Sequence, residues 1–217
     1  MRALTPLEAR VLGVLVEKQH TVPDTYPLSL NALVAGCNQK TARDPVINAS
    51  DAEVMTAVDG LKSLSLVFEG SGSRVVKFEH NLPRVFSLPA ASVALLTVLM
   101  LRGPQTSAEL RLNSERLHRF ADISSVEGFL DELANKEPPR VLKLPRAPGA
   151  REARWAHLLC GEVALPAVAA DGAEAAPSVA AGEIAALKAA LAQQGDELAR
   201  LQQWAQRVAT ELGISPP

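Results

Sequence analysis

The sequence predicts a mainly α protein with small β wings, an α+β fold of two tandem winged-helix domains plus a C-terminal helix. Three observations predict it. Amphipathic helical stripes open on capping residues, β-rich pairs flank tight turns, and the same element order returns after roughly 75–80 residues.

In TPLEARVLGVLVEKQ, Thr5 is a candidate N-cap, Pro6 takes the first helical position, and Glu8 lies three residues after the cap. Leu7, Val11, Leu12 and Leu15 then recur at helical spacing. After a loop with Pro23 and Pro27, SLNALVAGC forms a short second helix, with Ser29 as its cap and Leu30, Leu33 and Val34 facing inward. The polar run CNQKTARDP leads from this helix to a third, DAEVMTAVDGLKSL, capped by Ser50 or Asp51 and striped by Val54, Val58 and Leu61. LVFEG and RVVKFEH read as two strands around the tip SGS. Asp44-Pro45 reads as a turn that stops helix continuation.

The order then repeats. SVALLTVLML is a helix carrying Leu95, Leu96 and Leu99, and Thr106 caps a short helix holding Leu110. In SSVEGFLDELANK, Val126, Leu130 and Leu133 take the places of Val54, Val58 and Leu61. VLKLPR and EARWAHLL close the second set around APGA, matching Lys77 with Arg154, Phe78 with Trp155 and His80 with His157. The domains are therefore drawn at 1–81 and 82–161, followed by an Ala/Pro/Gly-rich linker at 162–181 and an amphipathic or coiled-coil helix at 182–213. In that last segment Ile184, Leu187, Leu191, Leu198, Leu201, Val208 and Leu212 fall on heptad a and d positions, the candidate contacts of a homodimer. A lone helix folding back on the body is the alternative reading of this segment.

Composition narrows the function. The chain has 217 residues and is 47% hydrophobic, enough for a sizeable core. ASVALLTVLML, the longest apolar run, is too short to span a bilayer and no leader pattern precedes the first helix, so a cytoplasmic protein with no membrane association is expected. Cys37 and Cys160 have no metal or disulfide spacing, and neither belongs to a nucleophile motif. No cofactor, no metal and no enzymatic activity are expected. SGS lacks the phosphate-loop pattern, and Phe78 and Trp155 suit core anchors better than base-stacking platforms.

The charge is uneven. Residues 1–81 hold 8 Lys+Arg against 9 Asp+Glu, residues 82–161 hold 11 against 8, and residues 162–217 hold 3 against 7. A winged helix contacts DNA with its third helix and wing, and phosphate contacts need cations. The candidates are Lys40 and Arg43 in the polar run, Arg74 and Lys77 on the first wing, and Lys143, Arg146, Arg151 and Arg154 on the second. The third helices are acidic: Asp51, Glu53 and Asp59 face Lys62 in one, while Glu127, Asp131, Glu132 and Glu137 face Lys136 in the other. Carboxylates repel phosphate, so any double-stranded DNA is expected at the connectors and second wing rather than under a groove-reading helix. The competing reading is an adaptor for a protein partner that uses the winged helices and the terminal coil.

The stretches EARVLGVLVEKQHTVPDTYPLSLNALVAGCNQKTARDPV, RVVKFEH, LRGPQTSAELR and LPRAPGAREARWAHL resemble the bacterial YceH-like family, a group of unknown function. The likeness covers about residues 4–161 and implies tandem winged helices. It implies no enzymatic activity for any residue.

Overall fold

In the first module, helix α1 (Pro6–Thr21) opens on a reciprocal capping box: the Thr5 hydroxyl accepts from the Glu8 N–H at 3.1 Å, and the Glu8 carboxylate accepts from the Thr5 N–H at 2.8 Å. The same chemistry starts α3 (Asp51–Ser63) with Ser50 and Glu53, which decides between Ser50 and Asp51 as the cap. Between them, Ser29 caps α2 (Leu30–Cys37), and a two-residue strand, β1 (Leu28–Ser29), precedes it. The wing is β2 (Val67–Gly70) and β3 (Lys77–His80), and β1 adds to it as an antiparallel sheet in the order β1-β3-β2. The computed structural model describes residues 1–70, 75–146 and 149–163. Arg74, the expected linker beyond 163 and the segment 182–213 lie outside them.

A short helix absent from the sequence reading, α4 (Leu82–Phe86), buries Leu82 and Phe86 and links the modules. The second module then runs α5 (Ala90–Arg102), α6 (Ser107–Asn113), α7 (Ile123–Ala134), β4 (Val141–Lys143) and β5 (Trp155–His157). Thr106 and Glu109 form the capping box of α6, and Asp122 caps α7. The registers repeat as closely as the order does. Val67 faces His80 in the first wing and Val141 faces His157 in the second; Leu28 pairs with Phe78, and Gln105 bridges to Trp155. The stripes Val54, Val58, Leu61 and Val126, Leu130, Leu133 are all fully buried, and so, within 2%, are the anchors Phe78 and Trp155. The fold is α+β and winged-helix-like in both halves.

The two halves share one core. Helix α5 is buried on all sides from Ala91 to Leu101, which is the physical meaning of its apolar run: a helix without a polar face must be covered on every side. Its main cover is α1, which packs more extensively on α5 than on either helix of its own module. Gly13 makes the approach possible, since a Cβ there would sit 3.0 Å from the Leu101 side chain. The Asp44 N–H donates to the Leu101 carbonyl at 2.9 Å and the Leu4 N–H to the Leu159 carbonyl at 2.8 Å, adding backbone ties across the junction.

Candidate nucleic-acid interface

The polar run CNQKTARDP is a self-braced connector. Its backbone leaves α2 without helical partners, so buried peptide groups need side-chain donors and acceptors. Asn38 supplies both, donating to the Ala49 carbonyl and accepting from the Ala49 N–H, each at 2.8 Å. Arg43 supplies the rest. Its five N–H groups reach the Gly36 and Ala42 carbonyls, Gln39 Oε1 and both oxygens of Glu17 on α1, at 2.6 to 3.1 Å. A guanidinium has five N–H donors, so none is left for a ligand. The expectation that Arg43 contacts phosphate is therefore corrected: its side chain has no exposed surface and serves as a structural tie. Burial alone would raise the Glu17 carboxyl, but the bonds from Arg43 and the nearby Lys18 outweigh it and hold the group below the usual carboxylate range.

The remaining candidates divide by environment. Lys40 is exposed at the tip of the same connector, and Lys77 is half-buried in β3, paired with Ser29 and Gly70. In the second wing, the Lys143 ammonium sits 5.2 Å from the Trp155 ring centroid, an arrangement that fixes a cation over an aromatic face. Arg146 and Arg151 are exposed on either side of the turn. Arg154 is exposed but engaged, donating to the Pro104 carbonyl at 2.8 Å and to Glu109 at 3.3 Å. The connector between α6 and α7 adds Arg116 and Arg119, which the sequence signalled only through the basic run NSERLHRF; Arg119 pairs loosely with Glu115 at 3.5 Å. Among the described residues no ion pair engages Arg116, Lys143, Arg146 or Arg151.

The third helices carry the opposite charge. Asp51, Glu53 and Asp59 line the exposed side of α3, whose Lys62 is held by Glu69 and Asp59. On α7, Glu127 accepts from the Ser107 hydroxyl at 3.2 Å, while Asp131 and Glu132 face solvent. Both outer faces therefore repel a phosphate backbone.

The groups with reactive potential are quiet. Burial, opposed by the nearby Arg10 and Arg43, pushes the Cys37 thiol up to about 12, so it is no thiolate at neutral pH. Burial likewise pushes His80 and His157 down to about 4. Each ends its wing strand at the matched register position, the His80 backbone N–H donating to the Tyr26 hydroxyl at 2.8 Å. Among the described residues no helix is long and apolar enough to cross a membrane.

Three helices, the third acidic, and a two-stranded wing, met twice over, define a winged-helix-like protein. Within that class the chain belongs to the family described as "Protein of unknown function, DUF480", which matches residues 4–150. It is similar to a UPF0502 protein of Burkholderia multivorans, 69% identical over 214 residues, covering 99% of this chain and 91% of that one. A UPF0502 protein of Leptothrix cholodnii is 68% identical over 216 residues, covering 99% and 97%. The resemblance to the YceH-like bacterial family is thereby established.

Proposed function

We propose that this protein is a non-enzymatic, regulatory or chromosome-associated factor that binds double-stranded DNA through phosphate contacts of its second module, without base reading by its third helices. One observation carries the reading. Arg116, Lys143, Arg146 and Arg151 are exposed cations with no ion pair among the described residues, in the connector and wing on either side of α7 in the chain. Free cations release counterions from DNA on binding, whereas a saturated one such as Arg43 contributes nothing. Lys40 is a weaker contributor from the first module. The segment 182–213 pairs two chains in this reading, and two copies of the basic wing on one duplex would raise the apparent affinity by their effective concentration.

A titration of a labelled random-sequence duplex with the intact protein, followed by anisotropy, tests this. The Arg146→Ala, Arg151→Ala double variant is expected to bind at least about tenfold more weakly at low salt, with equal loss on unrelated sequences. Unchanged affinity would contradict the proposal.

The adaptor reading has its own observation. Phe68, Val75 and Val76 on the first wing are 44%, 57% and 54% exposed, and Leu112 and Ile123 on the second module are 73% and 44% exposed. Apolar groups of this size in solvent suit a protein partner more than a phosphate backbone. Capture of a protein competing with these side chains, together with no DNA complex at low salt, would favour it.

A further inference from the structure

At the junction of the two modules lies a groove of about 520 Å3, within the range of small-molecule sites. Its walls are largely apolar: Leu7 and Ile47 from the first module, Leu99 and Met100 from the second. Arg10 of α1 also lines it, and this arginine is only 4% exposed. It differs from Arg43 in one respect that matters. Arg43 has a carboxylate and uses five donors, whereas Arg10 donates to the Cys37 carbonyl at 3.1 Å and the Pro45 carbonyl at 2.7 Å, and its buried Nε has no partner. Neither oxygen belongs to an anion.

A buried cation without a paired counter-ion is costly, and among the described residues no carboxylate lies within ion-pair distance of Arg10. The Cys37 thiol is neutral. Glu53 is committed to the α3 capping box, accepting from the Ser50 N–H at 2.8 Å and the Ser50 hydroxyl at 2.7 Å. Asp44 borders the groove and favours the charged arginine from a distance, yet it makes no ion pair within 4 Å among the described residues. His157 borders the groove too, with its Nδ1 buried and unpartnered. An apolar cleft with an unmatched guanidinium in its wall is complementary to an amphipathic anion.

We propose that this groove binds a small organic acid, its apolar body against Leu7, Ile47, Leu99 and Met100 and its carboxylate paired with Arg10. The site stands independently of the DNA reading, because it uses none of the wing cations.

Octanoate and its neutral isostere octanamide are the probes, added to the full chain labelled with 13C at its methionine methyls. Octanoate is expected to shift the Met100 resonance, leave Met1 unmoved and bind about tenfold or more tightly than octanamide, as a charge-assisted hydrogen bond to guanidinium requires. Arg10→Met should bring the two affinities together. If that variant does not fold, the acid-to-amide ratio in the wild-type chain still decides. No Met100 shift with octanoate, or equal binding of acid and amide by the wild-type protein, would overturn the proposal.

Discussion

Arg43 in the connector donates to both carboxylate oxygens of Glu17 on α1, at 3.1 and 2.6 Å, and this pair fastens the polar loop to the first helix. It also separates two kinds of cation within one short stretch of sequence: Arg43 holds the fold, and Lys40 three residues earlier faces solvent.

Arg43→Ala removes one partner of a largely buried pair, leaving Glu17 only Lys18 at 3.0 Å and the Gly36 carbonyl unmatched. The expected cost is about 3 kcal/mol or more, read from urea unfolding, with the salt dependence of DNA binding unaltered. A loss below about 0.5 kcal/mol would mean that the pair behaves as an exposed one.

That contrast marks how far the sequence could be read. Caps and stripes were legible because they are local: Thr5 with Glu8, Ser29, Ser50 with Glu53, and Thr106 all act within four residues, and Val54, Val58 and Leu61 follow the helical period. The duplication was legible because matched side chains occupy matched registers, as in Val67 with His80 and Val141 with His157. Elements of one or two residues, such as β1 and the Gln105 bridge, have no period to show, and α4 is barely longer. Arg43 and Lys40 look alike in sequence, because the difference lies in a carboxylate 26 residues away in the chain. Arg10 escaped notice for a like reason: a charge on the first helix reads as a surface residue, and the Cys37 and Pro45 carbonyls that hold it lie 27 and 35 residues away in the chain.

Gly36 lets α2 approach α1. A Cβ there would lie 2.6 Å from Val14 Cγ1, inside a packed interface. Gly36→Ala is therefore expected to destabilise the protein by about 1–3 kcal/mol, and a thermal melt showing an unchanged Tm would argue that α2 shifts freely.

The wing histidines set an acid limit. In the folded protein burial holds both near 4, against an ordinary 6.5. Between those values the unfolded chain binds more protons, so stability falls as pH drops from about 6.5 towards 4. Each ring is expected to cost on the order of 1–2 kcal/mol by pH 5. Replacing both with glutamine should flatten the dependence in this window, before the carboxylates of Glu8 and Glu17, which are held below their usual range, begin to lose their own contribution at lower pH. Equal wild-type stability at pH 7.5 and pH 5 would refute the assignment.

Removing residues 164–217 tests the terminal segment. The intact chain is expected to sediment as a dimer and the shortened one as a monomer with the same unfolding midpoint at low concentration. Identical sedimentation of the two would exclude the heptad residues Ile184 to Leu212 from self-association.

The most direct test of the central claim is the salt dependence of DNA binding by the full chain. With Arg116, Lys143, Arg146 and Arg151 each meeting a phosphate, log K is expected to fall against log salt with a slope of about −3 to −4 per protomer, and by about two units less in the Arg146→Ala, Arg151→Ala variant. A slope near zero, or no complex at low salt, would contradict the account and leave the acidic helices and exposed apolar wing as surfaces for a protein partner.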